Sequence, residues 1–174
     1  MIHYLKGDAT QPVGEGPKIL AHICNDIGGW GAGFVVAISK RWPQPEEAYR
    51  AWAKGRFRPK PGCAIIGPQT FSLGSVQFVT VTEDLAVANM IAQRGYGPRG
   101  NDLHRTDDHD PNGPPIRYDA LALCLKGVQS AAEKLDASVH MPRIGCGLAG
   151  GRWDQVEPIV SKMLDGLDVY VYDL

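Results

Sequence analysis

Two glycine-rich stretches hold the pattern in this chain that is best suited to chemistry. The first, Gly28-Gly29-Trp30-Gly31-Ala32-Gly33, follows the apolar run Ile19 to Cys24 and leads into Phe34 to Trp42. The second, Gly145-Cys146-Gly147-Leu148-Ala149-Gly150-Gly151, follows Val139 to Met141 and leads into a helical segment from about Asp154 to Leu164. Each reads as strand, glycine loop and helix in that order. A helix start presents N–H groups without intrahelical partners and a partial positive charge, which suits phosphate oxygens. Glycine lets such amides approach a ligand with no Cβ in the way. Either loop alone is as well explained by an ordinary tight turn. Their repetition on matching frames favours phosphate binding, and two facing loops can grip a diphosphate without any lysine. The standard fingerprints do not fit. A P-loop needs Gly-Lys-Ser/Thr where Gly33 is followed by Phe34, and GxGxxG from Gly31 needs glycine where Val36 stands. Kinases and ordinary dehydrogenases are therefore poor candidates.

Several side chains near these loops have two readings each. Asp26 suits a general base if it points into a cleft, or a carboxylate in a turn. Gln93 suits orientation of a water, or a solvated strand end. His22, inside an apolar strand, is expected to be buried and bonded to backbone rather than catalytic. Cys24 and Cys146 flank the loops, where a small buried residue is the default and a nucleophilic thiol would need a nearby base. Trp30 covers a cleft or packs on the following helix. The run His104, Asp107, Asp108, His109, Asp110 lacks EF-hand spacing and reads as a polar loop, so no metal is expected.

The elements that must position these residues follow from periodicity. Met1 to Lys6 reads as a strand, and Ile19 to Cys24 as a strand buried on both faces. Helices are expected over Phe34 to Trp42, stopped by Pro43, and over Glu46 to Lys54. Cys63 to Gly67, Val76 to Val81 and Leu85 to Ile91 read as strands with a turn at Glu83-Asp84. Residues 95–115 form an irregular polar loop, Tyr118 to Leu135 a helix, and Asp168 to Leu174 a final strand. Strands alternating with helices at both ends, with a hairpin between, predict an α/β protein: a three-layer α/β/α sandwich around a mixed central sheet, one domain over 1–174. At 44% hydrophobic residues the chain can bury a core, so overall disorder is excluded. A net charge of −1 argues against a general nucleic-acid binder, which needs clustered cations. The four cysteines are widely spaced, and no apolar stretch reaches membrane-spanning length. The expectation is a cytoplasmic protein with reduced thiols and no membrane partner.

The stretch AHICNDIGGWGAGFVVAISKRWPQPEEAY, the segment MPRIGCGLAGGRWDQVEPIV and the ending VYVYDL together resemble the macrodomain (Appr-1″-p processing) family. Within it they are similar to the branch of terminal ADP-ribose protein glycohydrolase and yeast ADP-ribose 1″-phosphate phosphatase, and KGDAT near the start fits the adenine-side motif. The likeness runs from Gly7 to Leu174, outside 95–115. It implies an ADP-ribose cleft in which Asp8 accepts from the adenine amino group, beside the Ala9 amide. Asn25 would contact the distal ribose, Trp30 would stack on a ribose or cover the cleft, and Gly31, Ala32 and Gly33 would wrap the ribose and one phosphate. Ile144, Gly145, Cys146, Gly147, Leu148 and Ala149 would offer amides to the other phosphate, with Tyr172 and Leu174 near adenine. The glycohydrolase's lysine has no counterpart in Met90-Ile91-Ala92-Gln93-Arg94, and its aspartate after GCGL is Ala149 here. Arg94 stays protonated and cannot act as that nucleophile. The resemblance thus implies hydrolysis of ADP-ribosyl esters on acidic side chains, ADP-ribose 1″-phosphate or O-acetyl-ADP-ribose by water, without a cofactor. The catalytic candidates are Asn25, Asp26 and Gln93, and the expected partner is ADP-ribose or an ADP-ribosylated protein. The alternative is a reader that binds without cleaving.

Overall fold

The computed structural model describes residues 1–96 and 114–174, so most of the 95–115 loop, including the His104–Asp110 run, lies outside the described residues. The elements in chain order are β1 (Ile2–Lys6), β2 (Lys18–Asn25), α1 (Phe34–Arg41), α2 (Gln44–Ala53), β3 (Cys63–Ile66), β4 (Val76–Thr82), β5 (Leu85–Gln93), α3 (Tyr118–Leu135), β6 (Ser138–Pro142), α4 (Trp153–Met163) and β7 (Val169–Asp173). The strands form one sheet in the order β1-β7-β6-β2-β5-β4-β3. The first five of these positions are parallel pairs, and β4 and β3 close the far side as antiparallel neighbours. The carboxyl ends of β1, β7, β6, β2 and β5 therefore share one edge.

Strand alternation divides the core into two layers. On β2, Ile19 and Ala21 face the layer of α3 and α4, with Leu125, Val128 and Val156. Leu20 and Cys24 face the layer of α1 and α2, with Ile38, Tyr49 and Trp52. A sheet covered on both faces requires nearly continuous apolar strands, and β2 and β5 are buried along almost their whole length. Two boundaries differ from the sequence expectation. α1 ends at Arg41, with Trp42 extended ahead of Pro43, and α2 starts at Gln44 rather than Glu46. Pro45 sits in the first turn of α2, where its missing N–H costs no hydrogen bond. Among the described residues no helix is long and apolar enough to cross a membrane.

Candidate functional site

β2 and β6 are adjacent and parallel, so their two glycine loops leave the same edge of the sheet side by side. They touch: a Cβ built on Gly33 would stand 3.2 Å from the Leu148 side chain. Between them lies a cleft of about 560 Å³, whose walls include Ala32, Gly33, Phe34 and Val35 from the first loop and helix, and Ile144, Gly145, Gly147, Leu148 and Ala149 from the second. Gln93, His22, Pro142, Arg143 and Leu174 also line it. Two other grooves on the surface, of about 670 and 480 Å³, involve neither loop.

The first loop is shaped from behind by α2. Asn25 Oδ1 accepts the Ile27 amide at 3.1 Å and the Gly29 amide at 2.9 Å, while Nδ2 donates to the Gly29 carbonyl at 2.9 Å. The buried Tyr49 hydroxyl lies 2.8 Å from the same Oδ1 and 2.7 Å from the Asn25 carbonyl. Arg50, paired with Glu46 at 2.9 Å, donates to the carbonyls of Gly28 and Trp30. In a planar trans peptide the carbonyl and the next N–H point in opposite directions. With the Trp30 carbonyl drawn toward Arg50, the Gly31 amide is turned away from α2. Among the described residues, the amides of Gly31, Ala32, Gly33, Phe34 and Val35 donate to no protein acceptor.

The second loop is built on itself. The Gly147 carbonyl accepts the Gly150 amide at 3.0 Å, and the Gly145 carbonyl accepts the Gly151 amide at 2.6 Å. By the same peptide geometry the Leu148 N–H points outward, and the amides of Gly147, Leu148 and Ala149 have no protein acceptor among the described residues. Gly145 adopts φ 75°, and a Cβ there would collide with Ile116. Only glycine fits this position. Gly147 is different, with open space around it and no positive φ. The site thus presents two runs of unspent N–H donors, one from each loop, across one cleft. Such nests of backbone amides bind anions without a cation.

The side chains singled out in the sequence are distributed unevenly. Gln93 lines the cleft, with Nε2 donating to the Gly95 carbonyl at 2.8 Å and Oε1 without a protein partner among the described residues. Asn25 is committed to holding its own loop. Asp26 accepts the Gly95 amide at 2.8 Å and sits 3.7 Å from the Arg94 guanidinium, so it ties the β2 end to the β5 end. Neither Asn25 nor Asp26 belongs to the cleft wall. The Trp30 ring is buried against His22 and Tyr49, with its N–H donated to Ser39 at 2.8 Å. It packs under the loop rather than covering the cleft.

Asp8, at the end of β1, accepts Thr10's amide at 2.8 Å and hydroxyl at 2.7 Å, and pairs with Arg41 at 3.4 Å. Partial burial pushes its carboxyl up, but the Thr10, Gln11 and Arg41 hydrogen bonds outweigh this and hold it below the usual range. Ala9 beside it is buried, while Leu174 is fully exposed at the rim. The buried Tyr172 hydroxyl accepts the Val13 amide at 3.0 Å and meets His140 Nδ1 at 2.8 Å. Cys146 is half-buried, and burial raises its thiol, with Arg143 pulling the other way. Cys24 is fully buried and its thiol is pushed well up. Burial therefore disfavours the thiolate at both.

His22 corrects one expectation. Its partner is not backbone but the Asn89 side chain, at 2.6 Å. Side chains of a strand stand out of the sheet plane, away from its carbonyls, and Asn89 is the residue in register on β5. Asn89 spends its Nδ2 hydrogens on the Pro45 carbonyl and Gln77 Oε1, so its Oδ1 must accept from His22 Nε2–H. Burial lowers the imidazole to about 4, leaving it neutral at the cleft floor. The residues not anticipated from sequence are Arg143 and Pro142 on the wall, Arg50 and Tyr49 behind the first loop, and Ile116 beneath the second. The MPRIGCGL phrase itself contained the first two. Among the described residues no group of histidine, cysteine and carboxylate side chains is assembled to hold a metal.

No family model matches the chain. A solved structure of a protein of unknown function from Bacteroides thetaiotaomicron is 49% identical, with TM-score 0.83 over 100% of this chain and 98% of that one. A macrodomain protein from Streptomyces coelicolor is 46% identical, with TM-score 0.76 over 100% of this chain and 99% of that one. An ADP-ribose 1″-phosphate phosphatase of Meyerozyma guilliermondii is 26% identical over 175 residues, covering 98% of each chain. The chain also matches chromodomain-helicase-DNA-binding protein 1-like of Mus musculus at 29% identity, but spans only 17% of that protein's length.

Proposed function

The chain belongs to the macrodomain family, and on that premise we propose that it binds ADP-ribose along the carboxyl edge of its sheet and hydrolyses ADP-ribosyl derivatives. The observation that carries this reading is the double run of unspent amides, Gly31 to Val35 and Gly147 to Ala149, whose residues, all but Gly31, line one cleft. Each phosphate takes one run, and each charge-assisted N–H bond contributes about 1.5–3 kcal/mol. The Asp8 carboxylate accepts four hydrogen bonds, of which those from Gln11 at 3.5 Å and Arg41 at 3.4 Å are long, and the adenine amino group takes the place of one of these. The distal ribose then lies over Gly31 to Gly33, toward Gln93.

Water is the nucleophile in this account. The substrates are esters of ADP-ribose on protein carboxylates, ADP-ribose 1″-phosphate and O-acetyl-ADP-ribose, and the products are ADP-ribose and the free acid. Gln93 Oε1 orients the attacking water, because its amide is pinned at Nε2 and lines the cleft. Asn25 and Asp26 act as positioning residues: the first fixes the ribose-side loop and the second fixes the strand end that holds Gln93. The phosphatase relatives support the hydrolytic reading. Incubation with each of the three substrates, followed by chromatography of released ADP-ribose, tests it. Turnover of at least one, reduced in Gln93→Ala, is expected; no turnover of any of them removes the enzyme claim.

A second reading, a reader of ADP-ribosylated protein, is favoured by the engagement of Asp26 by Gly95 and Arg94 and by Ala149 after GCGL. Calorimetric binding of ADP-ribose with no turnover selects it.

A further inference from the structure

The near-zero net charge hides a segregation. Positions 48–82 contain five cations and no carboxylate, and four of those cations fall within Lys54 to Lys60. Arg50 is paired with Glu46, but Lys54, Arg56, Arg58 and Lys60 have no acidic partner among the described residues. Arg56, Arg58 and Lys60 line one groove of about 670 Å³ together with Phe57, Thr80 and the single carboxylate of Glu47.

This groove is remote from the ADP-ribose cleft. Thr80 is in register with Ala86, near the start of β5, whereas the cleft is built on Gln93 at its end. β3, the strand that follows the basic segment, is an edge strand of the sheet, at the end opposite β1. The segment is also anchored at both ends. The Arg56 amide donates to the Ala51 carbonyl of α2 at 2.8 Å, and Lys60 exchanges two backbone hydrogen bonds with Cys63 of β3, at 2.9 and 3.0 Å. Pro59 and Pro61 hold Arg58 and Lys60 in extended conformation. Alternate residues of an extended chain stand about 6.6 Å apart. The result is a row of cations whose backbone order is already fixed, a concave arrangement that a flat membrane surface does not fill.

We propose that this groove binds the phosphodiester backbone of single-stranded nucleic acid, independently of the ADP-ribose cleft. A row of three cations suits an anion that repeats along a chain, and two of them are guanidinium forks that match phosphate oxygens. Phe57 distinguishes a nucleic acid from an acidic peptide. Its ring packs partly against the apolar cluster that holds Trp52, and what remains exposed lines the groove beside the cations, where a base can stack and a carboxylate side chain gains nothing. Arg58 keeps most of its donors for the ligand, since only one N–H goes to a protein acceptor, the Phe57 carbonyl at 2.9 Å.

The test is fluorescence anisotropy of a labelled oligonucleotide of about 12 nucleotides, titrated with the intact protein at several salt concentrations from about 50 mM upward. The wild type is expected to bind with a log affinity against log salt slope of about −2, the value for three phosphate contacts on a single strand. Arg56→Gln/Arg58→Gln/Lys60→Gln is expected to lose about ten- to thirtyfold in affinity and most of that slope. Phe57→Leu, which keeps the apolar filling, is expected to lose about five- to tenfold with the slope unchanged. Lys134→Gln/Lys162→Gln, on exposed ends of α3 and α4, is the charge control and should bind as the wild type does. Saturating ADP-ribose should not displace the oligonucleotide. The proposal is overturned if the wild type does not bind at low salt, or if the triple variant equals the control. Displacement by ADP-ribose, or equal displacement by polyglutamate, also overturns it. Failure here leaves the reading of the cleft untouched, because no residue is shared.

Discussion

A carboxylate placed on Gly147 challenges the diphosphate cradle without challenging the fold. Nothing lies within 4 Å of where a Cβ on Gly147 would stand, its φ is not positive, and it lines the cleft. Gly147→Ala should therefore keep both the wild-type unfolding temperature and most of its affinity. Gly147→Glu carries a negative charge to within about 6 Å of the nearer phosphate; at an effective dielectric constant of about 20 the repulsion is about 3 kcal/mol per phosphate charge. Screening with a length of about 8 Å at physiological salt halves this, to about 1.5 kcal/mol. Affinity for ADP-ribose should fall about tenfold at physiological salt and about a hundredfold at low salt, where the repulsion is nearly unscreened. Calorimetry of both variants at two salt concentrations, with thermal unfolding as the control for folding, measures each number. A folded Gly147→Glu protein that binds ADP-ribose as tightly as the wild type would refute the cradle.

Gly145→Ala, by contrast, must adopt φ 75° and meet Ile116 and Ile23, so it should lower stability by about 2–4 kcal/mol in chemical denaturation. Asn25→Ala leaves the Gly29 and Ile27 amides without their shared acceptor, while the Tyr49 hydroxyl keeps the backbone carbonyl of that residue, and should cost about 2–4 kcal/mol; Asn25→Asp, which keeps a side-chain acceptor there, should cost less. Gln93→Ala should reduce kcat by about tenfold or more while leaving the dissociation constant of ADP-ribose nearly unchanged, as single-turnover and calorimetric measurements will show. His22 and His140 are both lowered by burial to about 4, with Lys18 adding to the effect on His140. The unfolded chain therefore binds more protons than the folded one between about pH 6.5 and 4, and stability should fall as pH drops through that window, by about 3 kcal/mol per histidine. Denaturation midpoints at pH 7 and pH 4.5 check this, and His140→Asn should flatten the dependence.

The fold was readable because its strongest signals are local. β2 and β5 are short apolar runs that only a doubly covered sheet can bury, and α3 repeats its apolar residues at helical spacing through Leu121, Leu125 and Val128. The two glycine loops were readable for the same reason, since a loop's place after a strand and before a helix is written in consecutive residues. What lies behind the loops was not, because it depends on contacts between distant positions. Asn25 looked available for a ligand, yet Tyr49, 24 residues on, and the loop's own amides occupy it. Asp26 is claimed by Gly95, 69 residues away, and His22 by Asn89, 67 residues away. The buried place of Trp30 depends on Ser39 and Tyr49, and no periodicity in GGWGAG indicates it.

The most direct examination of the amide cradle is a ¹⁵N–¹H correlation spectrum of the protein titrated with ADP-ribose. Hydrogen bonds to phosphate should move the amide signals of Gly31 to Val35 and of Gly147 to Ala149 furthest, saturating together with one dissociation constant, while the Arg56–Lys60 amides stay still. If those eight signals hold their positions at saturation while others shift, the backbone does not hold the diphosphate and the account is wrong.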